Sequence, residues 1–334
     1  MAGGSTRAVH AAIVANTIVG LMKFAGFALT GSGAMLSEGI HSVADVSNQL
    51  LLAIGIARSE REPDEDHPYG YGREKFIFAM ISAVGIFWFG CGVTAYHGVN
   101  SLMHPHPVED LSLAVGILIL SALIESVTLR MAWVAVRDGA KASEMTIRDF
   151  IIKGSDPMGV AVLLEDGAAV LGIFLALGGV GMSMWTGDPI WDAIATLMIA
   201  ALLGLIAIFL VVRNRTVLLG QSMSPKKTSS VVRVLMQDPI VEAVHEVKTT
   251  VMGSDVSRFV AEIEFDGEVI AERFLNSQDM DAIFKEVQDR TRLRAFLIQY
   301  GDHLIDAVGD EVDRLEDKIR AAAPDVRYVD IESD

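Results

Sequence analysis

At 334 residues, with 51% hydrophobic composition and a mean hydropathy of +0.41, the chain is too apolar for an ordinary soluble domain and too long for a single membrane anchor, which leaves a polytopic membrane protein. The formal net charge of −16 excludes a nucleic-acid binder, because a phosphate backbone needs a basic face to displace its counterions. The one cysteine, Cys91, lies in an apolar run, so neither a disulfide framework within the chain nor a cysteine-rich zinc site is available.

In chain order, six apolar segments reach the roughly 20 residues that a helix needs to cross a hydrocarbon core: residues 10–30, 34–57, 77–102, 111–136, 157–180 and 189–212. The first follows a short polar start, MAGGSTRAVH, and ends at TGSG without a small-residue cleavage pattern, so it reads as a retained span. The connection after span two carries Arg58, Arg61, Arg73 and Lys75, and that after span four carries Arg137, Lys141, Arg148 and Lys153. The connections after spans one, three and five contain no Lys or Arg. Basic residues near span ends stay on the cytoplasmic side, so both termini are expected in the cytoplasm or its equivalent; in a bacterial cell the membrane is then the inner one.

Residues 1–220 are thus expected to form an all-α six-helix transmembrane bundle, and 221–334 a cytoplasmic α/β domain. From Ser224 to the end, 24 acidic side chains stand against 14 basic ones. The pattern predicts a helix over 228–237, strands over 241–252 and 257–265, helices within 279–322 and a last strand near 326–331. Alternation in RFVAEIEF and turn residues at Gly253, Ser254 and Gly267 support the strands. Helices on one face of a small sheet are the natural packing.

An ionisable group at membrane depth costs about 2.5–3.5 kcal/mol on insertion scales, which makes each a functional candidate. In span two, His41 and Asp45 are four residues apart and share a helix face. In span five, Glu165 and Asp166 are adjacent and lie about 100° apart around the axis, so one points squarely at a shared centre while the other binds from the side or accepts hydrogen bonds. One imidazole with two or three carboxylates suits Zn²⁺, Mn²⁺, Co²⁺ or Fe²⁺ and suits Cu⁺ poorly. Such ligands must lose protons to bind metal, so metal and proton compete for the same atoms. Taken singly, any of these residues also reads as a helix-packing hydrogen bond. For Glu125 in span four, a structural or gating hydrogen bond stands beside metal contact.

The stretches LSEGIHSVADVSNQ (36–49) and HPYGYGREKF (67–76) resemble the HSxxD and HPxGHGKxE motifs of the cation diffusion facilitator family of metal/proton antiporters. Within it, DPxxxxxLLED (156–166), FDGEVIAERFL (265–275) and GDEVDRLEDKI (309–319) are most similar to the zinc-transporter-nine branch. The resemblance implies a six-helix transmembrane domain, a ferredoxin-like cytoplasmic domain, a homodimer in the lipid bilayer, and a transport site built by two residues of helix two and two of helix five. His41 and Asp45 match the first pair and Asp166 the last position. The remaining position falls on Val162, which cannot coordinate, and leaves Glu165 as the candidate fourth ligand. The activity implied is proton-coupled efflux with alternating access. The divalent metal ion, zinc favoured and Mn²⁺, Fe²⁺ or Co²⁺ as alternatives, is substrate and H⁺ counter-substrate, with no prosthetic group. Relatives with an accessory site after helix two use two histidines there. Here His67 is kept and Tyr71 replaces the second, so Asp64, Asp66 and His67 form a candidate cation-attracting loop. His245 and His303 read as surface residues. A non-transporting membrane scaffold is the rival reading. An intramembrane metallohydrolase lacks an HExxH motif or an evident general base, so no enzyme is expected.

Overall fold

The computed structural model describes residues 3–30, 33–104, 111–253 and 256–334. They fall into two compact units, Met1–Leu219 and Gly220–Asp334.

The first unit is helical: α1 (Gly3–Thr30), α2 (Gly33–Ser59), α3 (Glu74–Gly85), a π-helical segment (Ile86–Val93), α4 (Thr94–Met103), α5 (Leu111–Ala142), α6 (Ile147–Lys153), α7 (Pro157–Thr186) and α8 (Ile190–Leu218). The π segment joins α3 to α4 without a break, so 74–103 is one long apolar rod. Among the described residues, five helical stretches are long and apolar enough to cross a membrane, within α1, α3–α4, α5, α7 and α8. The helix α2 is 27 residues long. Helices outrun the expected apolar segments because hydrogen bonding continues where the apolar run stops: α5 extends through the polar VRDGAKA to Ala142. What ends them is local. Asp156 caps α7, its carboxylate accepting from Gly159 N at 3.0 Å with Pro157 following, and Gly187, at φ 70°, closes the other end in the left-handed region.

Neighbours run in a ring, α1 to α2, α2 to α3, α3 and α4 to α8, α8 to α7, α7 to α5 and α5 back to α1, with α7 also touching α1, α2 and α3 across the middle. Small side chains line the inside, including Ala8, Ala12, Ala79, Ala83, Ala132, Ala161 and Ala207, while Leu21, Trp88, Phe89, Leu123, Phe174 and Leu205 point outward. That inversion suits a lipid solvent, where helices gain from close backbone approach rather than from hiding leucines. At Gly20 an added Cβ would come within 3.2 Å of Ser42 Cβ, which holds α1 close to α2. The approach at Gly55 is tighter, with a Cβ meeting Phe78 Cβ at 2.5 Å and Met158 Cε at 2.7 Å. Gly55→Ala is therefore expected to cost about 1–3 kcal/mol by forcing α2 from α3, read as a lowered melting temperature of the detergent-solubilised chain; an unchanged melting curve would refute the close packing there.

The second unit contains α9 (Pro225–Met236), β1 (Val241–Val251), β2 (Ser257–Phe265), α10 (Gly267–Ser277), α11 (Met280–Glu286), α12 (Arg290–Ala322) and β3 (Val326–Ser333). Its sheet has the order β1-β2-β3, the first pair antiparallel and the second parallel. The parallel pair needs a crossover, which α10 to α12 supply. Along β2, Phe259, Ala261 and Ile263 are wholly buried, and with Leu235, Ile240, Leu315 and Ile319 they form the core. One sequence expectation changes. Gly267 is not a turn but the first residue of α10, because the Asp266 carboxylate accepts from Glu268 N at 2.9 Å and Val269 N at 3.2 Å and starts a helix. Ser254 lies outside the described residues.

Candidate functional site

On α2 the side chains of Ser42, Asn48, Gln49 and Leu52 are buried and that of Asp45 is half-buried, a stripe at helical spacing that faces the bundle interior. His41 begins that stripe on the α2 backbone, but its side chain lies outside the described residues. On α7, Glu165 is 7% and Asp166 3% exposed, and Val162, one turn earlier, is 0% exposed in the apolar core. The two helices meet through a buried hydrogen bond in which Asn48 Nδ2 donates to Glu165 Oε1 at 3.0 Å. Asp45 lies close enough to act electrostatically on both Glu165 and Asp166. Asp45, Glu165 and Asp166 thus lie within electrostatic reach of one another.

Other polar groups join them. The Thr128 hydroxyl of α5 lies beside Asp166 and donates to the Glu125 main-chain oxygen at 2.9 Å, which places buried Glu125 one turn along the same helix. Among the described residues, Glu165 Oε2, Asp166 Oδ2 and Asn48 Oδ1 are buried without a hydrogen-bond partner. Buried acceptors are ordinarily satisfied and an orphaned one is costly, so these oxygens of α2 and α7 are candidates to receive an occupant. Among the described residues, no three His, Cys, Asp or Glu side chains are drawn close enough to hold a metal ion.

The connection between α2 and α3 is organised differently. Asp64 accepts from His67 N at 2.8 Å and from the Tyr71 hydroxyl at 2.6 Å, and the His67 ring packs on Tyr71 with centroids 4.4 Å apart. The Tyr71 hydrogen bond is the largest influence holding the Asp64 carboxyl below its ordinary value. Tyr71, which the sequence presents as a missing ligand, is the donor that closes this turn. Asp66 is exposed. In the second unit His245 is an exposed residue beside Glu264, its Nε2 3.3 Å from Oε2, and the exposed His303 ring lies tilted against Phe274 with centroids 4.4 Å apart.

Sequence reasoning passed over four residues. Asn48 and Thr128 carry no charge and read as packing amide and hydroxyl, although Asn48 sits three residues after Asp45. Lys23, 5% exposed, gives α1 a buried cation that an average over an apolar span conceals. Buried Arg213 of α8 donates from Nη2 to the main-chain oxygens of Gly154, at 2.9 Å, and Asp156, at 3.3 Å, fixing the start of α7 against α8. Its place at the end of an apolar run hides that role.

Residues 9–219 match the family described as cation efflux transmembrane domain. Over 98% of its length the chain is 40% identical to a human protein named proton-coupled zinc antiporter SLC30A9, mitochondrial, and spans 58% of that protein. It is 39% identical to metal tolerance protein C4 of Arabidopsis thaliana, again over 98% of this chain and over 73% of the plant protein. A shorter likeness, 32% over 124 residues and 36% of each chain, links it to the magnetosome protein MamM of Paramagnetospirillum magneticum.

Proposed function

The chain belongs to the cation efflux family, and from that premise we propose that it moves a divalent transition metal ion, zinc foremost, across a bilayer in exchange for protons. The names of its relatives, a zinc antiporter and a metal tolerance protein, support a transporter rather than an enzyme. The observation that carries the reading is the meeting of Asp45 with Glu165 and Asp166 inside the helical unit, tied across α2 and α7 by Asn48.

In this reading α2 is the sixth crossing, residues 1–220 carry the ion and 221–334 form a ferredoxin-like regulatory and dimerisation domain of a homodimer. The termini lie in the cytoplasm or its equivalent, and in a bacterial cell the membrane is the inner one. His41, Asp45, Glu165 and Asp166 ligate the ion when open to the terminal side. Protonation from the other side removes the lone pairs that held it, and the ion leaves. Glu125, buried beside Thr128, gates the approach to Asp166. Asp66 and His67 at the α2–α3 connection attract cations to the entrance, with Asp64 shaping the turn.

The test is the chain in proteoliposomes with a pH-sensitive dye inside. Zinc added outside is expected to alkalinise the lumen as protons leave against entering metal, and an acidic lumen is expected to speed zinc uptake. Zinc movement indifferent to a pH gradient, or none, would favour a passive pore or a scaffold and end the proposal.

A further inference from the structure

Asn48 is held on both sides of its amide by different circumstances. Its Nδ2 donates to Glu165 Oε1 at 3.0 Å, which fixes the plane of the carboxamide, and its Oδ1 is buried with no donor among the described residues. Beside that oxygen stands Gly85 of α3, which carries no side chain and where an added Cβ would lie 3.7 Å from Asn48 Oδ1. On α2, Asn48 follows Asp45 by three residues and His41 by seven, spacings that keep all three on one face.

We infer that Asn48 Oδ1 is a specificity-determining oxygen ligand for the transported ion, added to the set of His41, Asp45, Glu165 and Asp166. This rests on the reading of Asp45, Glu165 and Asp166 as the transport site. Charge explains why a carboxamide suits the place. Three carboxylates already exceed the charge of a divalent ion, so another anionic donor would add repulsion among buried like charges, whereas an amide oxygen adds coordination at no charge. A bound ion would satisfy Asn48 Oδ1, Glu165 Oε2 and Asp166 Oδ2 together. A neutral oxygen also biases the set toward harder ions, so the balance between zinc and manganese depends on this residue.

The experiment is proton-coupled flux in proteoliposomes with Zn²⁺ or Mn²⁺ as the only metal, comparing wild type, Asn48→Ala, Asn48→His and Asp45→Ala. Asn48→Ala is expected to raise the KM for both metals about tenfold or more and to change their ratio, while Asn48→His restores zinc transport and depresses manganese, because imidazole is the softer donor. If Asp45→Ala is inactive while Asn48→Ala keeps the wild-type KM and zinc-to-manganese ratio, the inference is wrong and the site survives. A loss on Asn48→Ala that leaves the ratio unchanged in both Asn48 variants also overturns it, since a purely structural hydrogen bond to Glu165 weakens every metal alike. Full flux in Asp45→Ala removes the site itself. Should Asn48→Ala not purify as a folded species, the ratio in Asn48→His, read beside that in Asn48→Asp, decides.

Discussion

Asp166→Ala is expected to abolish zinc-dependent proton flux, with a loss above about 100-fold, because outer groups that merely orient a ligand already cost 10–100-fold. Asp166 is 3% exposed, and its Oδ2 has no hydrogen-bond partner among the described residues. Those facts give the variant a second, opposite signature. In the metal-free chain the carboxylate contributes little that its burial does not cancel, so its removal is expected to leave thermal stability unchanged or raise it. Zinc stabilises whichever state binds it, so wild type is expected to gain melting temperature with zinc while the variant does not. Melting curves with and without zinc, beside the flux assay, separate a ligand from a packing residue: a variant that melts early and still responds to zinc would refute the role.

The second large effect lies in the C-terminal unit. Asp238, buried in the turn between α9 and β1, accepts from Arg314 through two bonds of 2.9 Å each, from Lys318 at 2.6 Å and from Ile240 N at 3.4 Å. The Arg314 contact is the main reason that its carboxyl titrates far below the ordinary value of 3.8. Asp238→Ala is expected to destabilise this unit by about 2–3 kcal/mol. The figure sits at the lower end for a buried pair because Arg314 and Lys318 are 42% and 38% exposed and turn into water once released. A group with a depressed folded value stabilises fully above its unfolded value and loses that contribution as pH falls toward the folded one. Wild-type protection is therefore expected to hold above about pH 4 and fade below it, and the variant to lack that acid-dependent part. Hydrogen exchange of the β1 amides in the full chain reads both, and equal protection in the two proteins would overturn the assignment.

Where the sequence spoke clearly, it spoke through periodicity and charge. The long apolar runs are helices, RFVAEIEF alternates as β2, and within those runs Glu165 and Asp166 are buried and Asp45 is half-buried. What it concealed follows from the same physics. A glycine after an aspartate reads as a turn, and only the carboxylate's bonds to two following amides reveal the start of α10. The π segment Ile86–Val93 leaves no mark in hydropathy, since its side chains are as apolar as those of an α-helix. Asn48 and Thr128 are uncharged and carry no desolvation alarm, so their place beside Glu165 and Asp166 depends on helix neighbours that no spacing rule names.

The grip of Arg213 has a mechanical consequence. A guanidinium that seizes main-chain carbonyls is indifferent to which side chains the α6–α7 link carries, and it couples α7 to α8 at one end as firmly as a rivet. If α7 swivels to turn its carboxylates from one compartment to the other, α8 must travel with it at that end, and the slip plane falls on the seams where α7 meets α1, α2, α3 and α5.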